Sequence, residues 1–244
     1  MLSIIILAAG LGKRMQTPDI PKVLAKLKGS PLIYYVLNTA NKLNPNKIVL
    51  VVGHHKEMLI DYVTNQFNSN KIKFAVQQNQ LGTGHAVLCA EKELLDSEDN
   101  ILILSGDVPL LTETTLNKFI DNHNSLNADI SVLSAAIDNP TGYGRIVRDK
   151  NGKFIAITEE KDATDEIKKI KEINGGVYCI NSKLLFELLK KINNNNMQNE
   201  YYLTDIIDLA YKQNLKVIAS NIANFKEIQG INTREQLINI ENNL

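Results

Sequence analysis

The architecture of this chain follows from one stretch, Leu7-Ala8-Ala9-Gly10-Leu11-Gly12-Lys13-Arg14-Met15. The apolar run Leu2–Leu7 that leads into it is typical of a buried first strand. The three residues after that strand have almost no side chain, so a flat ligand can lie against bare backbone there. The two glycines permit the backbone angles that a phosphate-wrapping loop requires.

Two cations accompany this loop, Arg14 within it and Lys22 in Pro21-Lys22-Val23-Leu24 shortly after it. Exposed backbone amides beside two cations indicate a polyphosphate site. A dinucleotide-binding fingerprint is excluded because its third glycine position holds Met15. A P-loop is excluded because the two glycines are too close together. The alternative is a plain turn between the first strand and the first helix, and the two cations favour the ligand site.

The composition bounds the class of protein. A chain of 244 residues allows one large α/β domain or two small ones. Hydrophobic residues make up 44% and charged residues 22%, which is ordinary for a soluble globular protein. With 27 basic and 27 acidic residues the net charge is zero, which argues against non-specific nucleic-acid binding.

Cysteine usage and hydropathy bound the compartment. Cys89 and Cys179 lie far apart in apolar surroundings and are interpreted as reduced core residues. No apolar run is long enough to span a membrane, and the N-terminus lacks the basic region of a signal peptide. A cytoplasmic protein without a membrane partner is therefore expected.

Strands and helices are predicted to alternate through the first half of the chain, which is typical of a parallel, doubly wound sheet. The predicted strands of this half lie at 2–7, 47–52, 72–76 and 100–104, and its helices include 32–43 and 56–67. In the second half, strands at 128–136, 154–158 and 177–180 predict a mixed or antiparallel extension. Three later helices are expected. The first is capped by Ser182 and ends at about 191, the second opens at 201–205 and ends at 212, and the third covers 233–244. We expect one compact unit with an α/β half and a substrate-covering half.

Polar residues cluster in Gln77-Gln-Asn-Gln-Leu-Gly-Thr-Gly-His-Ala86. This stretch connects a predicted strand to the next helix, where ligands bind in parallel sheets. A primary amide both donates and accepts hydrogen bonds, which suits the edge of a nucleobase. The alternative, a polar loop in which Thr83 caps a helix, is equally compatible with the amides alone.

One carboxylate, Asp107, follows the buried strand that ends at Leu104. A carboxylate in that position suits a hard metal ion such as magnesium, which keeps several waters and binds substrate phosphate. Asp107 would be badly placed as a helix cap, because Pro109-Leu110-Leu111 intervene and Thr112 is the better cap. The pair His54-His55 has no cysteine or third histidine nearby and is interpreted as exposed loop residues.

The opening loop is one of a series of motifs that occur in one order along the chain. The others are Pro21-Lys22, Gln77 with Gln80-Leu-Gly-Thr-Gly-His-Ala86, Gly106-Asp-Val-Pro-Leu110, Gly142-Tyr-Gly-Arg-Ile146, Glu172-Ile-Asn174, Glu200-Tyr-Tyr-Leu-Thr-Asp205 and Gly230-Ile-Asn232. Together they resemble the uridylyltransferase domain of bacterial N-acetylglucosamine-1-phosphate uridylyltransferases, over nearly the whole chain. The opening loop alone would indicate only the wider sugar-nucleotidyltransferase group, whereas 80–86 and 142–146 are much more specific.

The resemblance implies a Rossmann-like, doubly wound mixed sheet of the nucleotide-diphospho-sugar transferase type, and it implies roles for particular residues. Those implied to bind the nucleotide are Leu7, Ala8, Ala9, Gly10, Lys22, Gln77, Gly82, Thr83, Ser105, Gly106 and Asp107. Those implied to hold the amino sugar are Gly144, Glu159, Asn174, Tyr202, Thr204 and Asn232. Arg14, Lys22 and Asp107 are implied to be catalytic, and Asp107 and Asn232 to share a magnesium ion.

The implied reaction joins UTP to N-acetylglucosamine 1-phosphate, with release of pyrophosphate, and supplies peptidoglycan and lipopolysaccharide precursors. Its partners would be small molecules and not nucleic acid. Two alternatives stay open: the same chemistry with UTP or dTTP on another sugar 1-phosphate, and a non-catalytic sugar-nucleotide sensor. For the sugar residues the alternative is structural, with Asn174 stabilising the Gly175-Gly176 turn and Glu159 a solvated strand end.

The chain departs from this family in three places. The family usually has an aromatic residue where Ser105 stands, which concerns a packing contact near the nucleotide. The loop between Met15 and Lys22 is one residue longer than usual, which affects the reach of Lys22. Residues 1–232 are predicted to form the transferase domain and 233–244 a helix that starts a linker, with the family's hexapeptide-repeat acetyltransferase domain absent.

Overall fold

The computed structural model describes residues 1–10, 12–15, 20–67, 69–94 and 99–244. Leu11 of the opening loop and residues 16–19, where the sequence predicts the longer loop, lie outside the described residues. The strands are β1 Leu2–Ala8, β2 Lys26–Leu27, β3 Ser30–Pro31, β4 Ile48–Val52, β5 Ile72–Val76, β6 Asn100–Ser105, β7 Ile130–Ala136, β8 Arg145–Arg148, β9 Phe154–Thr158, β10 Glu172–Asn181 and β11 Val217–Asn221. The helices are α1 Leu32–Lys42, α2 Lys56–Phe67, α3 Thr83–Leu88, α4 Glu91–Leu94, α5 Glu113–Ser125, α6 Asp165–Lys168, α7 Ser182–Leu189, α8 Asp205–Lys212, α9 Phe225–Ile228 and α10 Arg234–Asn242, with 3₁₀ turns at Lys13–Met15 and Lys22–Leu24.

Nine of the described strands form one sheet, in the order β11-β7-β10-β6-β1-β4-β5, with β8 paired to β10 and β9 paired to β8. β1 pairs in parallel with β4 and β6, and β4 pairs in parallel with β5. β10 runs antiparallel to both β6 and β7, and β8 runs antiparallel to β9. The predicted doubly wound, mixed sheet is therefore confirmed.

Alternating side chains of the central strands form the two halves of the core. In β1, Ile4 and Ile6 face the side covered by α1, α2 and α5, while Ile5 faces the side covered by α3, α7 and α8. All three isoleucines are fully buried. Strands buried on both faces occur in parallel sheets that helices cover on both sides, which explains why these strands read as unbroken apolar runs.

Some element ends differ from the prediction. β10 begins at Glu172, well before the predicted strand at 177, because its first part pairs with β7 ahead of a register shift that ends at Tyr178. The cap of α7 is Asn181, whose side chain accepts N–H bonds of the first turn, and not the predicted Ser182. The predicted cap of α5 is correct, since the Thr112 side chain accepts from the backbone N–H three residues on.

The C-terminal helix α10 packs on the segment that follows the opening loop. It starts with a capping box, in which Thr233 accepts from the Gln236 N–H and the Gln236 side chain accepts from the Thr233 N–H. Its Ile240 is buried in a small apolar cluster with Met15. The domain boundary at 232 and the linker beyond it stay predictions. None of the helices described here is long and apolar enough to cross a membrane.

Candidate active site

A cavity of about 470 Å³ opens at the carboxyl edge of the parallel strands. Its wall includes Ala8 at the end of β1, Ser105 at the end of β6 and Gln77 directly after β5. Open parallel sheets bind ligands at this edge, outside the carboxyl ends of the strands. The cavity is therefore the candidate active site.

The cavity collects residues that lie far apart in the sequence. The predicted nucleotide-binding residues that line it are Leu7, Ala8, Ala9, Gly10, Lys22, Gln77, Gly82, Thr83, Ser105 and Asp107, and Arg14 and Asn232 line it as well. Gly106 lies behind the wall, where its N–H donates to the Leu7 carbonyl at 2.8 Å. A Cβ added there would come within 3.1 Å of Val23. Gly106 therefore permits close packing beneath the site.

Lys22, Asp107 and Asn232 meet in one part of the cavity, which we call the cation end. Lys22 Nζ donates to Asp107 Oδ2 and, at 2.9 Å, to Asn232 Oδ1. The exposed Arg14 donates to the same Asn232 oxygen at 3.2 Å. The side chains of Lys22 and Asp107 are 13% and 18% exposed, so this ion pair is little screened by salt yet remains open to a ligand.

Backbone contacts hold Asp107 and Asn232 side by side. The N–H of the fully buried Ile231 donates to the Asp107 carbonyl at 2.9 Å, and the Asn232 N–H donates to Gln236 Oε1 at 2.7 Å. Gly230 keeps the adjacent space open, because a Cβ there would lie 3.3 Å from Asn232 Nδ2 and 3.7 Å from Asp107 Oδ2. The fold thus joins two side chains whose proximity the spacing of the sequence does not reveal.

The oxygens of Asp107 and Asn232 suit a hard divalent cation. Both accept from the same ammonium group, so they already converge on one positively charged point. Magnesium prefers such oxygen ligands and completes its shell with waters and substrate phosphate. In the part of the chain that the structure describes, no group of three or more His, Cys, Asp or Glu side chains is arranged to hold a metal. The donor set fits an ion that protein and substrate bind jointly.

Another part of the cavity wall is formed by residues 77–86, which we call the amide loop. Gln77 is 4% exposed, and its Nε2 donates to the Gly82 carbonyl at 3.0 Å. Gly82 occupies the cap position of α3 without a side-chain cap, so the alternative in which Thr83 caps this helix is wrong. Gly82 has φ +110° and ψ 174°, a backbone conformation that is essentially restricted to glycine.

The amide loop is attached to residues 200–205, which we call the tyrosine segment. The Tyr201 N–H donates to the Leu81 carbonyl at 2.7 Å, and a second N–H of the segment donates to Thr83 Oγ1 at 3.0 Å. A Cβ on Gly82 would come within 2.5 Å of the Tyr201 carbonyl oxygen, so only glycine permits this approach. The junction connects predicted nucleotide-binding residues to predicted sugar-binding residues.

The predicted sugar-binding residues, apart from Asn232, form a cluster beside the cavity, which we call the sugar cluster. Thr204 Oγ1 donates to Glu159 Oε1 at 3.3 Å, and the Asn174 N–H donates to the Gly144 carbonyl at 2.9 Å. A Cβ on Gly144 would lie 3.4 and 3.5 Å from the two Glu159 carboxylate oxygens. Residues from separate strands and turns are thus brought within contact distance of one another.

Two observations place the sugar cluster next to the cavity. A Cβ on Gly176, in the irregular part of β10 after Asn174, would lie 3.7 Å from Ser105 Oγ in the cavity wall. Burial raises the pKa of Tyr143, and the charge of Asp107 raises it further, so this neighbour of Gly144 is within electrostatic reach of the cation end. Chain neighbours of Asn174 and Gly144 therefore lie close to the cavity wall and to the Asp107 carboxylate.

Asn174 has structural partners for both ends of its amide. Its Oδ1 accepts from the Gly176 N–H at 2.9 Å, and its Nδ2 donates to the Tyr178 hydroxyl at 2.8 Å. This is the turn-stabilising role that the sequence left open as an alternative. Each end of an amide can make a second hydrogen bond, so a contact with the sugar stays a prediction.

Tyr202 turns its hydroxyl towards other protein groups. The hydroxyl donates to Asp162 Oδ2 at 3.2 Å and accepts from Gln198 Nε2 at 2.8 Å. Burial raises its pKa to about 12, so the phenol stays neutral at physiological pH. Its predicted contact with the sugar stays a prediction.

Burial disfavours ionisation of two acids, Glu159 in the sugar cluster and Asp205 directly after its Thr204. Burial raises the pKa of Glu159, while the Thr204 hydrogen bond lowers it and neighbouring carboxylates raise it again. Burial, together with the charges of Asp208 and Asp162, raises the pKa of Asp205 to about 6. Glu159 is partly buried and hydrogen-bonded, which disfavours the alternative of a solvated strand end.

Some contributors stand in the motifs quoted from the sequence without having been assigned as binding residues. Gly12, Val23, Gln80, Ala86 and Glu200 also line the cavity. The buried Arg145 donates to Glu160 Oε2 at 2.7 Å, and the same oxygen accepts from the Gly142 N–H at 3.1 Å, which braces the turn before Gly144. An arginine inside an apolar strand was the available signal, because a buried cation requires an anion, but nothing in the spacing identified Glu160 as its partner.

Comparisons with known proteins agree with this geometry. A family described as nucleotidyl transferase matches residues 3–224. The bifunctional protein GlmU of Caldanaerobacter subterraneus is 44% identical over 237 residues, which cover 97% of this chain and 50% of that protein. The bifunctional protein GlmU of Francisella tularensis subsp. novicida is 47% identical over 240 residues, which cover 98% of this chain and 51% of that protein. The chain spans about half the length of these relatives, and the resemblance predicted from the motifs is confirmed.

Solved structures show the same fold. A UDP-glucose pyrophosphorylase complexed with UDP-glucose has a TM-score of 0.81 at 20% identity, over 100% of this chain and 98% of that one. HddC from Yersinia pseudotuberculosis has a TM-score of 0.73 at 22% identity, over 100% of this chain and 99% of that one. At such identities the likeness establishes the fold alone. The cavity at the carboxyl edge of the sheet agrees with this fold. Because the family model matches most of its length, this chain belongs to the nucleotidyl transferase family.

Proposed function

We propose that this chain transfers the uridylyl group of UTP to N-acetylglucosamine 1-phosphate, forming UDP-N-acetylglucosamine and pyrophosphate. Relatives matched over about half their length are named as bifunctional GlmU proteins, which supports this substrate pair. The product is a precursor for cell-envelope peptidoglycan and lipopolysaccharide, and the reaction takes place in the cytoplasm on small molecules.

The observation that carries the proposal is that three kinds of chemical group lie in or close to one cavity. The amide loop offers Gln77, the cation end offers Lys22 with Asp107, and the sugar cluster with Glu159 borders the cavity. A nucleobase, a triphosphate and a sugar need these three kinds of group. The proposed contacts are uridine against Leu7–Gly10, uracil against Gln77, Gly82 and Thr83, and triphosphate against Arg14 and Lys22.

The proposed step is an in-line displacement at the α-phosphorus of UTP. A phosphate oxygen of the sugar phosphate forms the new P–O bond as the bond to pyrophosphate breaks. That oxygen is already anionic at neutral pH, so no general base has to remove a proton. The residues contribute by aligning the reactants and neutralising charge. Lys22 has a flexible stem, so its ammonium can exchange Asp107 for a phosphate oxygen.

Asp107 and Asn232 would hold the magnesium ion. The ion, when bound, supplies positive charge that stabilises the phosphate oxygens during transfer. Asp107 contributes a full negative charge to this end of the cavity, and Asn232 contributes a neutral oxygen that Arg14 and Lys22 orient. The carboxylate therefore matters more for ion affinity than the amide does.

The sugar cluster would select the N-acetyl sugar. Glu159 offers acceptors for sugar hydroxyls when ionised, and Asn174 offers both a donor and an acceptor for the N-acetyl amide. A site that pairs with an amide rejects a sugar that lacks it, because its own buried polar groups are left unsatisfied. Glucose 1-phosphate would therefore be a poor substrate.

The test is pyrophosphate release by the purified chain over a panel of substrates, with product masses determined. UTP and dTTP are each combined with N-acetylglucosamine 1-phosphate and glucose 1-phosphate, with magnesium and with excess EDTA. We expect the highest kcat/KM for UTP with the N-acetyl sugar, and loss of release in EDTA. A higher kcat/KM for another pair would reassign the substrate. Tight binding of UDP-N-acetylglucosamine without release from any pair would identify a sensor.

A further inference from the structure

Within the amide loop, His85 contacts Gln77, the side chain that is proposed to bind the base. Gln77 lines the cavity, whereas His85, in α3, is not among the described residues that line it. His85 Nδ1 lies 3.0 Å from Gln77 Nε2, and the Gly82 carbonyl oxygen lies 3.0 Å from the same nitrogen. The His85 side chain is thus connected to the cavity wall through Gln77.

These two contacts use both hydrogens of the Gln77 amide. A carbonyl oxygen only accepts, so the Gln77 atom facing Gly82 must be the amide nitrogen. The second hydrogen is directed at His85 Nδ1, which accepts it when the imidazole is neutral and carries its own proton on Nε2. The amide nitrogen consequently has no hydrogen left for a ligand.

The oxygen of the same amide is left for the ligand. No described residue donates to Gln77 Oε1, and this atom is not among the buried polar atoms that lack a partner, so it is accessible. Gln77 lines the cavity, so this acceptor is the hydrogen-bonding group that its amide has available for a ligand there. Uracil and thymine carry an N–H donor in the middle of their pairing edge, whereas cytosine carries an unprotonated nitrogen there, and two facing acceptors repel.

We propose that His85 is a positioning residue for base specificity: it holds the Gln77 amide with its oxygen towards the cavity and thereby favours uracil over cytosine. This inference rests on the proposed binding of a nucleoside triphosphate at the amide loop. His85 touches neither substrate nor reacting atoms. Its loss should loosen the Gln77 amide about its terminal torsion, which the Gly82 carbonyl alone would then restrain.

Two substitutions separate positioning from packing. His85→Leu keeps the bulk of the side chain and removes the acceptor. His85→Asn restores an amide oxygen close to the position of Nδ1, and so should restore the acceptor. His123→Asn is the matched control, because His123 is buried and its Nδ1 lies 2.9 Å from Ser131 Oγ, away from the cavity. Thermal unfolding of each variant reports whether the fold is retained.

The readouts are kcat and KM for UTP and for CTP with N-acetylglucosamine 1-phosphate, and calorimetric Kd values for both nucleotides without the sugar. For His85→Leu we expect KM and Kd for UTP to rise about 5- to 10-fold, the loss of one neutral hydrogen bond. The preference for UTP over CTP should fall by a similar factor, while kcat changes less than about 2-fold because the reacting phosphorus is not involved. His85→Asn should recover most of the preference, and His123→Asn should lower stability without changing it.

Equal losses on UTP and CTP in His85→Leu, or no recovery in His85→Asn, would overturn the proposal. So would a wild-type chain that binds both nucleotides equally well. If His85→Leu does not fold, His85→Asn decides alone: a retained preference supports the proposal and a lost one contradicts it. The Kd values need no turnover, so a chain that prefers UTP in binding but releases no pyrophosphate would refute the proposed function and leave His85 tested.

Discussion

The amide loop and the sugar cluster differ in the chemistry that they offer to a ligand. The amide loop uses neutral groups, with the Gln77 amide held by the Gly82 carbonyl. The sugar cluster contains the acid Glu159 and adjoins Asp205, and burial raises the pKa of both carboxyl groups. A base edge is read by the direction of single hydrogen bonds, for which neutral groups suffice, whereas many sugar hydroxyls require many acceptors. We therefore expect sugar binding to depend on the ionisation of buried acids, which base recognition does not require.

The cation end lies in the same cavity as the amide loop, and its loss should have the largest effect. We expect Asp107→Asn to lower kcat by about 100-fold or more, because the variant lacks the charge that holds magnesium. Folding should be preserved, since the contact of the Asp107 carbonyl with the Ile231 N–H involves only backbone. Turnover is measured against magnesium concentration, with unfolding curves as the control. A variant that turns over like wild type at limiting magnesium would contradict the role of Asp107.

The junction between the amide loop and the tyrosine segment gives the next largest effect. Gly82→Ala should lower the free energy of unfolding by about 2–3 kcal/mol, because Ala is strained at φ +110° and its Cβ would overlap the Tyr201 carbonyl. KM should rise for UTP and for the sugar phosphate together, since the junction joins their regions. Urea unfolding and steady-state kinetics measure both.

The control for this change is Gly142→Ala. Gly142 also has a positive φ, +87°, but nothing lies within 4 Å of an added Cβ. Strain without overlap should cost about 1 kcal/mol. Equal destabilisation in the two variants would mean that the approach to Tyr201 is unimportant. A rise in KM for only one substrate would mean that the two regions are independent.

Features that are continuous in sequence could be predicted, whereas contacts between residues far apart in the sequence could not. The amide loop and the apolar strands are continuous in sequence. The spacing of apolar residues therefore indicated the strands, and the run of amide side chains indicated the loop. The convergence of Asp107 and Asn232 came only from the family resemblance, because long-range proximity leaves no local pattern. The bulge in β10 and the Asn181 cap were missed, since each depends on tertiary pairing or on the choice between two neighbouring polar residues.

The roles within the sugar cluster were the hardest to predict. Its members arrive from different strands and turns, and each is an ordinary polar residue in its own surroundings. Arg145 was recognisable as unusual, but its partner Glu160 was not. The hydrogen bonds of Asn174 to Gly176 and Tyr178 support its structural role, and a contact of its amide with the sugar stays a prediction.

Asn174→Ala tests whether the sugar cluster reads the N-acetyl group. We expect kcat/KM to fall about 5- to 10-fold further with N-acetylglucosamine 1-phosphate than with glucose 1-phosphate, the loss of one hydrogen bond to the amide. UTP binding should be nearly unchanged. The matched control is Tyr178→Phe, which removes only the structural bond from Asn174 Nδ2 and should affect both sugars equally. Equal losses on the two sugars in Asn174→Ala would mean that Asn174 is structural.

The smallest effect concerns Asp205, the first residue of α8, and tests the predicted pH dependence. Its pKa is raised from 3.8 to about 6, chiefly by burial and further by the charges of Asp208 and Asp162. The folded state therefore favours the protonated carboxyl group. The stabilisation that this preference gives to the folded state is complete below pH about 4 and is lost as the pH rises through about 6. The carboxyl group is partly exposed, so screening reduces the cost of its charge at pH 7.5 to about 1 kcal/mol.

Asp205→Asn should accordingly raise the free energy of unfolding by about 1 kcal/mol at pH 7.5 and by almost nothing at pH 4. A negative charge at a helix N-terminus is itself favourable, which offsets part of this gain. A variant that is less stable at pH 7.5 would mean that the helix N-terminus outweighs burial. The charge of Asp205 also helps to raise the pKa of Glu159. The KM for the sugar phosphate should therefore begin to rise at a lower pH in the variant, because Glu159 stays ionised further into acid, while the KM for UTP should show no such shift.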